Sequence, residues 1–238
     1  MDRLETNREN GAPELTVEKL VYGGRGLGRL DGCAVLLPYV LPGETARITV
    51  EREKPGLLEA RLNRVVVSAP ERVPPPCPYF GRCGGCHYQH AGYEFQLAQK
   101  VEILREVFRR VGKLELPGEI RVIAGPPWEY RNRVQFHLDR GNIGFREAGS
   151  SRLCRVERCS IASPRINEVL AILLEMARDR RFPQFVRSVE LFTNENETQV
   201  NILETARPVA KGFFEWLASV VPGADSAVID YRAADQLF

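Results

Sequence analysis

The chain has 238 residues, 44% hydrophobic and 27% charged, enough for two modest folded domains. It contains no run near the roughly 20 apolar residues of a membrane-spanning helix, which excludes an integral helical membrane protein. The net charge of +2 is uneven: residues 1–70 carry 10 basic and 10 acidic side chains, 71–160 carry 15 and 10, and 161–238 carry 8 and 11, so the middle suits an anionic partner.

In chain order, residues 1–12 are polar and of mixed charge, and read as a disordered lead-in that is neither a signal nor a transit peptide. The expected location is therefore the cytoplasm, where clustered cysteines bind metal more often than they form disulfides. From Glu14 to Val67 the text is β-like. LTVEKLVYGG, CAVLLPYVL, TARITVERE and LLEARLNRVVV are strand candidates, separated by breaks at 23–28, 42–43 and 55–56. Short strands in such number predict a small closed OB-like barrel over 13–70. The GGRGLG stretch (Gly24, Gly26, Gly28) is not a dinucleotide loop, because a turn and a strand follow it where that fingerprint needs a helix. It reads as a glycine-rich hairpin.

The proline-rich SAPERVPPPCP, residues 68–78, reads as a stiff connector, with a second domain over 71–238. CPYFGRCGGCHYQH follows, and then GYEFQLAQKVEILREVFRRVG. Its Leu97, Val101, Leu104, Val107 and Phe108 fall at helical spacing, with Gly112 as the expected C-cap. Residues 129–151 predict a hairpin turning at DRGN, 139–142. Val134, Phe136 and Leu138 form its apolar face, and Arg131, Arg133, Gln135 and His137 its polar face. A helix near 164–180, a hairpin in SVELFTNENETQVNILE turning at NEN, and an amphipathic helix over 208–220 complete an α+β domain with an antiparallel sheet.

Cys77, Cys83 and Cys86 stand as C-x5-C-x2-C, with Gly84 and Gly85 allowing a tight turn between them. Thiolates are soft ligands for zinc or iron. Spacing alone leaves two readings level: a Cys3His zinc site completed by His90, or an iron–sulfur cluster completed by a distant cysteine, 154 or 159. A disulfide is disfavoured by the expected compartment. Cys33, in an apolar strand, reads as core.

CPYFGRCGGCHYQH, YRNRVQFHL, IGFREAGSS and VERCSIASPRINEVL together resemble the RNA uracil-5-methyltransferases, closest to the 23S ribosomal RNA branch that carries a [4Fe–4S] cluster. The stretch LTVEKLVYGGRGLGRLDGCAVLLPYVLPGETARITV resembles the TRAM domain that opens many of them. The resemblance spans about residues 13–238. It implies that Cys77, Cys83 and Cys86 are cluster ligands and that Cys159 in VERCSIASP is the fourth, although Ser160 stands where the family usually has proline. Cys154, five residues earlier, lies in a less matching context.

The resemblance also implies a C-terminal Rossmann-like domain that binds S-adenosylmethionine and supplies the nucleophilic cysteine and the base. None of its motifs occurs in these residues, so the chain is expected to be a portion of such an enzyme with no catalytic residue of its own. The alternative is a stand-alone RNA-binding adaptor with a structural zinc or iron–sulfur site. The implied partner is RNA, ribosomal in preference to transfer, and the implied state is a monomer. Arg131, Arg133 and Arg146 are the expected phosphate contacts, and His137 and Phe145 the expected base-stacking groups.

Overall fold

The computed structural model describes residues 12–116, 118–194, 197–221 and 229–231; almost all of the expected lead-in lies outside the described residues. The chain divides into two compact units. The first holds residues 1–76 and 86–124, and the second holds 77–85 and 125–238. This division does not follow a single cut in the proline-rich connector, because the helix after the cysteines groups with the barrel.

In the first unit, β1 (Glu14–Val21), β2 (Arg25–Leu30), β3 (Cys33–Pro38), β4 (Thr45–Lys54) and β5 (Leu57–Val67) close into a barrel in the order β1-β2-β3-β5-β4. The pairs are antiparallel except β3 with β5. Alternate residues point inward, as the two-residue period of a strand requires. Leu15, Val17, Val35, Leu37, Ala46, Ile48, Leu58 and Ala60 thereby form one core with Val40. Each large aliphatic side chain buried in this way contributes about 1.5–3 kcal/mol.

The glycine-rich run forms a hairpin as expected: Gly23 and Gly24, at positive φ (90° and 79°), make the β1–β2 turn, and residues 25–28 open β2. A Cβ at Gly28 would lie 2.5 Å from the Thr16 carbonyl oxygen, and one at Gly26 would lie 2.5 Å from Val40 Cγ2. The glycines serve close strand packing. The next turn uses Asp31 and Gly32, both at positive φ (49° and 79°), the geometry of a tight two-residue hairpin.

A buried polar knot anchors the proline-rich connector. Glu44 is fully buried and accepts hydrogen bonds from the backbone N–H groups of Leu41 (2.8 Å) and Ala69 (3.2 Å) and from the Arg72 guanidinium (2.7 Å to Nη2). Arg72 also donates to the Tyr39 carbonyl at 2.8 Å. Burial would raise the Glu44 carboxyl, but the bonds from Arg72, Leu41 and Ala69 outweigh it and hold the group below its usual range. His90, 1% exposed, sits against this knot, edge-on to Tyr39 with ring centroids 6.5 Å apart.

α1 (Tyr93–Val107) runs into a π-helical turn, Phe108–Gly112. The expected cap at Gly112 is displaced by one residue. Lys113 takes the left-handed conformation (φ 56°) and returns its N–H to the Phe108 carbonyl. The expected apolar stripe also differs: only Ile103 of α1 is buried, and Leu104 and Phe108 are exposed. Lys19 on β1 pairs with Glu106 at 2.7 Å.

The second unit is a six-stranded sheet. β6 (Arg133–Asp139), β7 (Asn142–Arg146), β8 (Leu153–Arg155), β9 (Val186–Thr193), β10 (Thr198–Thr205) and β11 (Ile229–Tyr231) stand in the order β11-β10-β9-β6-β7-β8. All pairs are antiparallel except β10 with β11. The short strands β8 and β11 were not expected from the sequence. α2 (Pro164–Met176) and α3 (Lys211–Val220) share one core with the sheet, including Phe136, Ile143, Ile166, Leu170, Leu191, Ile202 and Leu217. The β6–β7 turn places Arg140 and Gly141 at positive φ, as expected for DRGN. α2 begins at a Ser163 cap, whose hydroxyl accepts from the Ile166 N–H, and at Pro164 in the first turn. It ends at Met176, short of the expected 180. Of the NEN turn, residues 195 and 196 lie outside the described residues; Asn194 and Glu197 bond across it. The fold class expected from the sequence, an OB-like barrel followed by an antiparallel α+β unit, is the one observed.

Candidate nucleic-acid interface and cysteine loop

Alternation along β6 sends Val134, Phe136 and Leu138 to the core and leaves Arg133, Gln135 and His137 on the opposite face. β9 and β10 add Ser188, Glu190, Phe192, Gln199 and Asn201 to that polar face. Arg133 grips the Glu190 carboxylate with two bonds (2.9 and 3.1 Å), Asn201 donates to the same carboxylate (3.2 Å), and Gln199 donates to Asn201 (3.2 Å). These groups line a cavity of about 430 Å³ with Phe192 at its edge. The Glu190 contact holds the Arg133 guanidinium above its usual range. Burial pushes the His137 imidazole down, and the Arg146 charge pushes it further, so the ring is neutral at neutral pH.

The five expected RNA contacts do not share one face. His137 pairs with Gly144, so Arg146, two residues on, returns to the side of His137. Phe145 has the other parity: its ring lies 4.9 Å from Phe136 and packs against the core. Arg131 precedes β6, with its N–H on the Ile161 carbonyl and its own carbonyl accepting from the Ser163 N–H. The aromatic ring on the polar face is Phe192, 39% exposed, which sequence reasoning missed. The signal was present: in SVELFT, Phe192 shares the phase of Ser188 and Glu190, and Leu191 shares that of Val189.

Residues 77–85 form a loop docked within the second unit. The Gly84 N–H donates to the Arg146 carbonyl (2.9 Å), the Ala148 N–H to the Arg82 carbonyl (2.9 Å), and the Glu157 N–H to the Tyr79 hydroxyl (3.1 Å). Arg82 pairs with Glu147 at 3.1 Å. Tyr79, Cys83 and Cys159 pack on the same core. The Cys159 turn is clamped by the buried Asn167 of α2. The Asn167 amide accepts from the Cys159 N–H (2.8 Å) and donates to the carbonyls of Cys159 (3.1 Å), Ala162 (3.1 Å) and Ser163 (3.3 Å). Cys154, on β8, is fully buried. Burial pushes its thiol up, with Glu147 and Cys77 adding to the shift and Arg82 opposing it.

No disulfide joins the six cysteines. The thiols are right in kind for a thiolate-held metal or cluster. Among the described residues, no group of three or more His, Cys, Asp or Glu side chains stands out as a metal-holding cluster. Cys77, Cys83, Cys86 and Cys159 are the ligand set that the sequence resemblance implies. His90, the fourth ligand of the zinc alternative, is buried beside the Glu44–Arg72 knot. Burial pushes its imidazole down to about 4, with Arg72 reinforcing the effect and the Val40 carbonyl and Glu44 opposing it.

Comparison with known proteins follows the same outline. Residues 13–62 match the TRAM domain. An uncharacterized RNA methyltransferase of Aquifex aeolicus is 42% identical over 166 residues, covering 69% of this chain and 39% of the relative. The 23S rRNA (uracil(1939)-C(5))-methyltransferase RlmD of Alkalilimnicola ehrlichii is 30% identical over 221 residues, covering 90% of this chain and 49% of the relative. The chain thus spans less than half the length of these relatives. Among solved structures, the tRNA (uracil-54, C5)-methyltransferase of Pyrococcus abyssi, in complex with S-adenosyl-L-homocysteine, matches with a TM-score of 0.56 at 24% identity. It covers 89% of this chain and 48% of that one, a likeness of fold. The chain carries a TRAM domain and is homologous, in the barrel and beyond it, to the RlmD-type RNA uracil-C5 methyltransferases.

Proposed function

We propose that this chain is the RNA-engaging portion of an S-adenosylmethionine-dependent RNA (uracil-C5)-methyltransferase, acting on ribosomal in preference to transfer RNA. The observation that carries the reading is homology over 90% of the chain to a 23S rRNA uracil-C5 methyltransferase, extending well past the TRAM domain. These residues bind and orient RNA and take no catalytic role. Cys77, Cys83, Cys86 and Cys159 are the residues that would hold a [4Fe–4S] cluster, a proposal that rests on the sequence motif alone. Such a cluster would act as a structural tie between distant segments.

The polar face of β6, β9 and β10 is the proposed RNA contact of the second unit. Arg133 and Arg146 supply positive charge on this face and Arg131 adds charge just ahead of β6, the Gln199 and Asn201 amides can meet base edges, and Phe192 takes the stacking role expected of Phe145. The double variant Arg131→Glu/Arg133→Glu is expected to bind a structured ribosomal RNA fragment more weakly and with a flatter dependence on salt, by fluorescence anisotropy. Affinity and salt dependence equal to the parent would overturn this assignment.

A further inference from the structure

A second surface of the α+β unit remains unused by that reading. The turn between α2 and β9 and the approach to α3 enclose a cavity of about 840 Å³ that shares no lining residue with the polar face of β6, β9 and β10. Its size falls within the range of ligand clefts, about 300–1,000 Å³. Arg180, Arg181, Arg187 and Arg207 line it together with Phe185 and Trp216.

The arginines are not merely scattered over a surface. The Arg181 guanidinium lies 4.3 Å over the Trp216 ring, and that of Arg207 lies 4.3 Å over Phe185. Each is a flat cation backed by an aromatic plane. Asp179 holds Arg181 in orientation at 2.8 Å, and Asp139 stands 3.8 Å from Arg187. Arg180 and Arg207 have no ion-pair partner among the described residues. The groove thus pairs two oriented planar platforms with two positive charges that no carboxylate among the described residues neutralises.

We propose that this groove is a second contact for single-stranded RNA. Bases stack on the guanidinium–aromatic pairs at Arg181–Trp216 and Arg207–Phe185, and Arg180 and Arg207 take the intervening phosphates. An acidic peptide would satisfy the charge but leaves the two planar faces without a use. Nucleobases use both, since every base has a π-face and stacking tolerates any sequence. The choice of RNA over another single strand rests on the proposed function above.

The test uses the full chain in a Trp128→Phe background, which leaves Trp216 as the sole tryptophan of the two in the chain. A labelled single-stranded RNA of about 12 nucleotides, within the usual site sizes, is expected to bind and to quench Trp216. Arg180→Glu/Arg207→Glu is expected to weaken binding about ten-fold or more and to flatten the salt slope by about 1.4, two phosphates at roughly 0.7 each. Poly-glutamate is expected to leave Trp216 emission unchanged. Parent-like affinity and slope in the double variant, or equal quenching by poly-glutamate, overturns the proposal. Both changed residues are exposed, so circular dichroism is expected to be unaltered; the quenching of Trp216 in the otherwise unaltered groove decides the matter if it is not. Loss of binding in Arg131→Glu/Arg133→Glu but not in Arg180→Glu/Arg207→Glu refutes this groove alone, whereas a chain that binds no RNA refutes both.

Discussion

His90 makes the barrel unit acid-sensitive, and the size of the effect follows from its surroundings. The ring is 1% exposed and its imidazole titrates at about 4, against about 6.5 in an unfolded chain. Burial is the main cause, and the Arg72 guanidinium adds to it. The folded-state value lies below the unfolded one, so in this window the unfolded chain binds more protons and stability is lost as the pH falls. Little changes above the unfolded value, and the loss runs from there down to about 4. From pH 7 to pH 5 it amounts to about 2 kcal/mol, and in full to about 3 kcal/mol. The assay is urea unfolding followed by circular dichroism at pH 7, 6 and 5, in the parent and in His90→Gln and His90→Phe. The variants are expected to lose about 2 kcal/mol less than the parent across that range, whatever their stability at pH 7. His137 is also pushed down and gives a slope of the same sign, but it is present in all three proteins and cancels in the difference. Glu44, whose carboxyl is held below its ordinary range, gives a slope of the same sign as the pH falls toward that range, and it too is present in all three proteins. Equal losses in parent and variants would refute the buried neutral ring.

Asn167→Ala removes a buried amide that makes four bonds to the Cys159 turn and leaves backbone groups there without partners. It is expected to lower stability by about 2–3 kcal/mol in a urea titration, and an unchanged midpoint would contradict the clamp. Gly28→Ala drives a methyl group to 2.5 Å from the Thr16 carbonyl oxygen and is expected to destabilise the barrel by about 1–3 kcal/mol, read as a lowered Tm. Under the proposed ligand set, anaerobically purified protein carries iron and sulfide with broad absorbance near 400 nm. Cys159→Ser is expected to lose both and the buried Cys154→Ser to retain them; the opposite pattern would reassign the fourth ligand to Cys154. Colourless protein with one equivalent of zinc would remove the cluster from the proposal.

The barrel was readable from local text because each of its signals is local. The two-residue alternation of Leu15 with Val17, and of Val35 with Leu37, marks the inward face, and Asp31–Gly32 specifies its turn without help from distant residues. The same holds for the β6–β7 hairpin and for the Ser163–Pro164 start of α2. Even the position of Phe192 was written in the phase of its strand. The cysteine motif, the TRAM-like stretch and the likeness to uracil-C5 methyltransferases were likewise properties of the chain as text.

The tertiary structure decided what depends on partners far away in sequence. Phe145 and Arg146 are neighbours and looked like one contact surface, but pairing with β6 turns one to Phe136 and the other toward His137. His90 lay four residues past Cys86 at a ligand's spacing, and burial beside Glu44 and Arg72 gave it a defined environment. The apolar spacing of α1 promised a buried stripe, yet only Ile103 found cover. The groove of Arg181, Trp216, Arg207 and Phe185 joins two segments that only the fold brings side by side. Periodicity determines which side of an element a residue takes; what meets that side is determined only when the chain closes on itself, because burial and pairing are relations between segments.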